Sequence, residues 1–193
     1  MVQVLKEELR QAIIGSAQAE FAQFGYAGAS VKRIAARVGI SVGNLYRYYK
    51  DKEDLFNGVV SPVHHELETL IRHHHGQPRD QGNIFELIVE ALTNIVDGYR
   101  TPLLILIDDA KGTRNENAIR NFYRMMTDNV GMHFANYSNK GGEGLNAQVA
   151  WPVSVAFLQG YFEIIRLNEE TEDCKRAVRQ YLLIWFQGLQ AIL

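Results

Sequence analysis

The sequence is poor in the residues that staple or interrupt a fold. Cys174 is its single cysteine, so neither an internal disulfide nor a thiolate metal cluster can form, and a reducing compartment is the expectation. Four prolines in 193 residues leave long stretches free to be helical. Long apolar runs are missing too: the longest, residues 149–162, is interrupted by Ser154, Gln159 and Gly160 and is too short to span a bilayer. The N-terminus turns charged at Lys6, Glu7 and Glu8 before a signal-peptide core builds up, so a cytoplasmic protein without a membrane partner is expected. Charge of one sign is not in excess, with 20 Lys and Arg against 22 Asp and Glu for a net −2 at pH 7. The bulk basicity that advertises a nucleic-acid partner is therefore absent. Nucleophile motif, phosphate loop and zinc signature are absent as well, so neither an enzyme nor a cofactor is expected.

What is present is unevenly placed. Residues 1–57 carry eight Lys and Arg against six Asp and Glu, a formal +2, which leaves −4 for the remainder. The basic residues gather between positions 32 and 52, so a local positive face is possible within a nearly neutral chain.

Hydrophobic residues recur with a helical period and no stretch alternates as a strand would, which predicts an all-α fold. A first helix is expected from Val4 to Phe24, stopped by Gly25. Ser30 is a good N-cap for a helix through Val38, with Val31, Ile34, Ala35 and Val38 at i, i+3, i+4 and i+7, and Gly39 ends it. Ser41 caps a third helix through Tyr48 or Tyr49, and Asp51 with Asp54 makes an acidic start for a fourth reaching toward His75. Pro62 lies inside that fourth helix and predicts a kink or break between Gly58 and Pro62. Further helices are expected at 83–99, 102–111, 115–137, 147–167 and 172–192, with a glycine-rich loop at 139–144.

Two short helices joined by a tight glycine turn form a helix-turn-helix. Ile34, Val38, Ile40 and Leu45 are apolar where the helices bury side chains, Ala35 is small where they cross, and Gly39 permits the positive φ of the turn. The second of these helices buries Leu45 and leaves Val42, Gly43, Asn44, Tyr46, Arg47 and Tyr48 open to a DNA groove. Asn44 is able to pair bidentately with adenine and Val42 to touch a thymine methyl, while Gly43 lets the backbone come close. Tyr49 is expected to pack on the first helix and Arg37 to belong to a solvated face.

Over about residues 9 to 57 the sequence resembles the tetracycline-repressor (TetR) family of bacterial transcription regulators. The resemblance is carried by Phe21-Ala22-Gln23-Phe24-Gly25-Tyr26, by Ser30 to Ser41, and by Gly43-Asn44-Leu45-Tyr46-Arg47-Tyr48-Tyr49-Lys50-Asp51-Lys52-Glu53-Asp54-Leu55. It implies a homodimer with a DNA-binding domain at 1–57 and an effector-binding and dimerisation domain at 58–193. By position it implies Val42, Gly43, Asn44 and Lys32 near base edges. Ser30, Arg33, Ser41, Tyr46, Arg47, Tyr48 and Lys52 complete the DNA-binding set, mainly through phosphates. The expected function is a repressor that a small apolar or aromatic effector releases from a palindromic operator, with half-sites roughly 34 Å apart. In that mechanism the Pro62 kink would move as effector binds. The alternative is an architectural DNA-binding protein without effector.

Beyond residue 58 the readings are weaker. Phe85, Ile88, Tyr99, Leu103, Phe122, Met125, His133, Phe134, Phe157 and Tyr161 are candidates to line an effector pocket, with Tyr99, His133 or Tyr137 at its mouth, and are equally the material of a helical core. The last two helices are apolar around much of their circumference, so Trp151, Val155, Leu158, Phe162, Val178, Tyr181, Leu182, Trp185, Phe186 and Leu189 are expected at a subunit interface. His64, His65, His73, His74 and His75 read as a solvated helix end rather than a metal site, because only His64 and Glu68 share a helix face. Asp108 and Asp109 diverge on a helix, which argues against acid/base work by that pair.

Overall fold

The computed structural model describes residues 2–73, 81–139 and 146–192. The expected loop beyond Asn139, with His74 and His75, lies outside the described residues, as do the side chains of His73, His133, Tyr137 and Leu189. All regular structure among the described residues is helical. In order it comprises α1 (Val2–Gly28), α2 (Val31–Val38), α3 (Val42–Leu45), α4 (Lys52–His73), α5 (Gln81–Asp108), α6 (Ala118–Asn139), α7 (Ala150–Leu167, after a 3-10 turn at Ala147–Val149) and α8 (Thr171–Ile192). The chain divides into two compact units, residues 1–64 with 101–118 and residues 65–100 with 119–193. The first unit ends within α4 and takes in residues 101–118.

In the first unit the ends of the short helices follow local chemistry. Gly25 leaves the helical region at φ 65° and stops the regular part of α1. Ser30 and Ser41 accept from the backbone N–H groups of Arg33 and Asn44, and Gly39 closes α2 at φ 74°. α3 is shorter than expected, a single α-turn, and the chain continues through Tyr48 by i→i+3 bonds from Arg47 N to Asn44 O (3.1 Å) and Tyr48 N to Leu45 O (2.9 Å). Asp51 Oδ1 accepts from Asp54 N (2.7 Å) while Asp54 Oδ2 accepts from Lys50 N (3.1 Å), a reciprocal acidic cap.

α4 corrects an expectation, since it runs unbroken through Pro62. An interior proline costs about 3 kcal/mol, but Val59, Val60 and Val63 beside it are buried, and burying each contributes about 1.5–3 kcal/mol. Pro102 acts differently. It has no N–H to give the carbonyl of Gly98, and Tyr99 departs from helical geometry at φ −139°, ψ 19°, so the two helices expected at 83–99 and 102–111 form one kinked run.

In the second unit the Tyr161 hydroxyl donates to Leu92 O (3.0 Å) from a fully buried ring, and burial pushes its phenol pKa up. Arg100 supplies the orphan carbonyls at the end of α7, donating to Ile165 O and Asn168 O, each at 2.9 Å. The residues expected at a subunit interface differ in their burial within the chain. Leu158, Phe162, Val178 and Leu182 are buried in the chain's own core, because α7 and α8 pack their apolar faces on their neighbours within the chain. Val155, Tyr181, Trp185 and Phe186 are half-buried, and of the expected set with described side chains only Trp151 is exposed. Leu183 and Ile184 are exposed beside them, Ile184 by 71%.

Candidate nucleic-acid interface

Glu20 organises the start of the helix-turn-helix, and sequence reasoning missed it. It lies on the apolar stripe of α1 with Ile13, Ala17 and Phe21 and is fully buried. Its Oε1 accepts from Ser30 N (2.9 Å) and Arg33 Nε (2.7 Å), and Arg37 Nη1 stands 3.0 Å from Oε2. Burial opposes ionisation of this carboxyl, but the Arg33 hydrogen bond, the Ser30 N–H and the two guanidinium charges outweigh it, so its pKa is lowered. A charged residue on an apolar stripe was the available signal. It becomes legible only once two arginines one helical turn apart on α2 are seen to face it.

Glu20 changes the account of two expected residues. Arg33, assigned to phosphate, also donates to Gly28 O (2.9 Å) and stacks over Phe24 with Cζ 4.4 Å from the ring centre. Arg37, expected on a solvated face, is tied to α1. Lys52 is engaged as well: Nζ lies 3.3 Å from Ala27 O and 4.7 Å from the centre of the Tyr26 ring, and burial lowers its pKa while the Glu20 charge opposes that. These cations brace α1 against α2 and α4, and their reach toward a phosphate is limited by those bonds.

The remaining expected residues sit on or beside α3. Ser41, Gly43, Tyr46 and Arg47 are exposed, and so is Lys32 on α2; Val42, Asn44, Tyr48 and the N-cap Ser30 are half-buried. Tyr49 is buried against Gly58, with Arg10 of α1 over its ring at 5.7 Å. Leu45 is fully buried and anchors the turn, so α3 is held by one apolar side chain and offers its other faces outward.

Residues 13–59 match the family model described as bacterial regulatory proteins, tetR family. The chain carries a TetR-family N-terminal domain. Over 47 residues it is 45% identical to the HTH-type transcriptional repressor AcnR of Corynebacterium diphtheriae, a match covering 24% of this chain and 25% of that relative. The TetR-like fold extends much further. The native structure of NalD, the secondary repressor of the MexAB-OprM multidrug efflux pump in Pseudomonas aeruginosa, superposes with a TM-score of 0.67 at 22% identity, covering 94% of this chain and 96% of that one. FadR from Bacillus subtilis, in complex with stearoyl-CoA, gives 0.60 at 17% identity over 93% and 98%.

The TetR-family match ends at α4, and the residues expected for effector lie beyond it. Leu103 is buried in the first unit. In the second, Phe122, Phe134 and Tyr161 are buried, and Ile88, Tyr99 and Met125 half-buried. Phe85 packs on Phe186 at 5.2 Å between ring centres, and Phe157 packs on Tyr181 and Trp185 at 6.0 and 5.6 Å. An open cleft of about 280 Å³ between α5 and α8 is lined by Val89, Thr93, Asn94, Asp97, Glu172, Lys175, Arg176 and Arg179. Its charges pair among themselves and with neighbours, Lys175 with Asp97 (2.7 Å), Arg179 with Glu86 (2.6 Å) and Arg176 with Asp173 (3.1 Å). Among the described residues no group of three or more His, Cys, Asp or Glu is placed to hold a metal.

Proposed function

We propose that this chain is a DNA-binding transcriptional regulator, a repressor that acts as a homodimer on a palindromic operator and leaves it when a small apolar or aromatic effector binds. The observation that carries the reading is Gly43. Glycine inside a helix costs about 1 kcal/mol relative to alanine, and a Cβ here would meet only Ser41 Oγ, at 4.0 Å. Among the described residues no packing contact requires glycine at this position. Close approach of a partner to the backbone would account for it, and exposed Ser41, Tyr46 and Arg47 around it suit phosphates and base edges.

The test is a duplex selected from a random pool for binding. Gly43→Ala and Tyr46→Ala should each lower affinity for it by about tenfold or more, as loss of one good contact per half-site implies, with unfolding temperature held or raised for Gly43→Ala. Unchanged affinity in both variants would sink the assignment.

Support for the homodimer comes from the exposed apolar side chains of Trp151, Leu183 and Ile184 on α7 and α8. Light scattering should give twice the 21.9 kDa chain mass at micromolar concentration. Ile184→Lys, at a position exposed enough to accept charge without disturbing the core, should shift that mass toward one chain. A monomeric parent protein would refute the dimer. The effector reading draws on the aromatic content of α5 to α8 and on the effector-responsive habit of the family. Since α4 is continuous at Pro62, release is assigned to altered spacing of the two recognition helices, where a mismatch with the groove weakens both half-sites at once.

A further inference from the structure

The first unit contains a cation outside the family-matched segment that sits on the first turn of α4. After α5 the chain makes a self-bonded loop: Thr113 Oγ1 donates to Ala110 O (2.7 Å) and accepts from Asn115 N (3.1 Å), Glu116 Oε2 accepts from Gly112 N (3.2 Å), and Gly112 takes φ 80°. Thr113 and Ala110 are buried, so the loop has a fixed shape. Its start packs on the end of α1, where a Cβ on Gly25 would lie 2.8 Å from Asp109 Oδ1. Its tip meets α4. Arg114 N donates to Glu53 Oε1 (2.6 Å), its Nε lies 3.7 Å from the same oxygen, its Nη2 lies 3.9 Å from Asp54 Oδ1, and Asn115 Nδ2 donates to Asn57 Oδ1 (3.4 Å).

Those contacts matter because of where the carboxylates are. Asp51, Glu53 and Asp54 crowd the first turn of α4 around Lys52, directly after the exposed residues of the recognition segment. A helix N-terminus favours them in the free protein. Beside a DNA phosphate backbone the same negative charges repel, and at separations under a Debye length the repulsion is felt at low salt. The Tyr26 phenol senses this field: its pKa is raised, first by burial and then by the charges of Glu53 and Asp51, with Arg114 opposing them.

We propose that Arg114 is a positioning residue of the DNA interface, holding the α5–α6 loop on α4 and neutralising Glu53 and Asp54 so that the phosphate backbone can approach the recognition segment. This rests on the DNA-binding reading. Its cation lies on the carboxylates and acts through them, so it needs no phosphate contact of its own.

The probe is a mixed-sequence duplex of about 30 base pairs, because non-specific binding is almost wholly electrostatic. At about 50 mM salt, Arg114→Ala should lose about three- to tenfold in affinity, Arg114→Lys should retain most of it, and Arg114→Ala/Glu53→Gln should recover most of the loss. Glutamine keeps the acceptor for the Arg114 N–H while removing the charge, so a purely structural role would not yield that rescue. Unchanged affinity in Arg114→Ala overturns the proposal, and so does a loss that Glu53→Gln fails to restore, which would make Arg114 a direct phosphate contact or a packing residue. Failure of the unsubstituted chain to bind the duplex overturns the DNA reading and this proposal together.

Discussion

Glu20→Ala should lower the unfolding free energy by about 2–4 kcal/mol, measured by urea denaturation at neutral pH. Removing one partner of a buried ion pair costs about 3–5 kcal/mol when the other is left buried. Here the Arg33 and Arg37 side chains are 46% and 41% exposed and partly recover water, which reduces the figure. The half-buried Ser30 N–H at the start of α2 also loses its carboxylate acceptor, at a cost toward the low end of the about 1–3 kcal/mol of an unmet buried donor. Against a total stability of about 5–15 kcal/mol for an ordinary domain the change is large. The reverse substitution is more damaging in kind: Arg33→Ala keeps a fully buried carboxylate and removes its main donor.

The effect has a signed pH dependence. The Glu20 pKa is lowered in the folded chain from an ordinary value of 4.5. Ionised Glu20 therefore adds stability at pH values above that ordinary value, and the gain is lost as pH falls through the lower, folded-state pKa. The stability gap between the parent chain and Glu20→Ala should be widest near neutrality and should narrow through the acid range. A gap that stayed constant below pH 4.5 would show that the carboxylate charge is not what holds α2.

Gly160→Ala should lower stability by about 1–3 kcal/mol, the usual cost of overpacking, even though alanine is the better helix former by about 1 kcal/mol. The Tyr181 hydroxyl lies over Gly160 and bonds to Ala156 O and Phe157 O, each at 2.9 Å. A Cβ at 160 would fall on that hydroxyl and 2.6 Å from the ring Cζ. The ring must move, and α7 and α8 separate or lose both hydrogen bonds. Gly15→Ala on α1 is the control, since nothing approaches that position within 4 Å; it should stabilise by about 0.5–1 kcal/mol. Tyr181→Ser in the Gly160→Ala background should cost less than the sum of the two changes, because the clash disappears with the ring. Strict additivity would place the cause elsewhere.

Residue order alone was enough for the local features. Helical periodicity, the serine caps at 30 and 41, the glycine stops at 25 and 39 and the acidic pair at 51 and 54 are each decided within one or two turns of chain, and the helices begin and end where those groups satisfy orphan backbone. The segment proposed to face DNA was legible for the same reason, as its residues are consecutive. Packing decided the rest. Pro62 and Pro102 carry the same chemistry, yet α4 stays whole while α5 leaves helical geometry at Tyr99. Leu158, Phe162, Val178 and Leu182 are apolar enough for a subunit interface and lie instead in the chain's own core. Glu20 selects Arg33 and Arg37 from 13 and 17 residues away, and Arg114 reaches Glu53 from 61. Contacts at such separations leave no periodic trace, because their energy depends on which surfaces the fold brings together and on how much water it removes from between them.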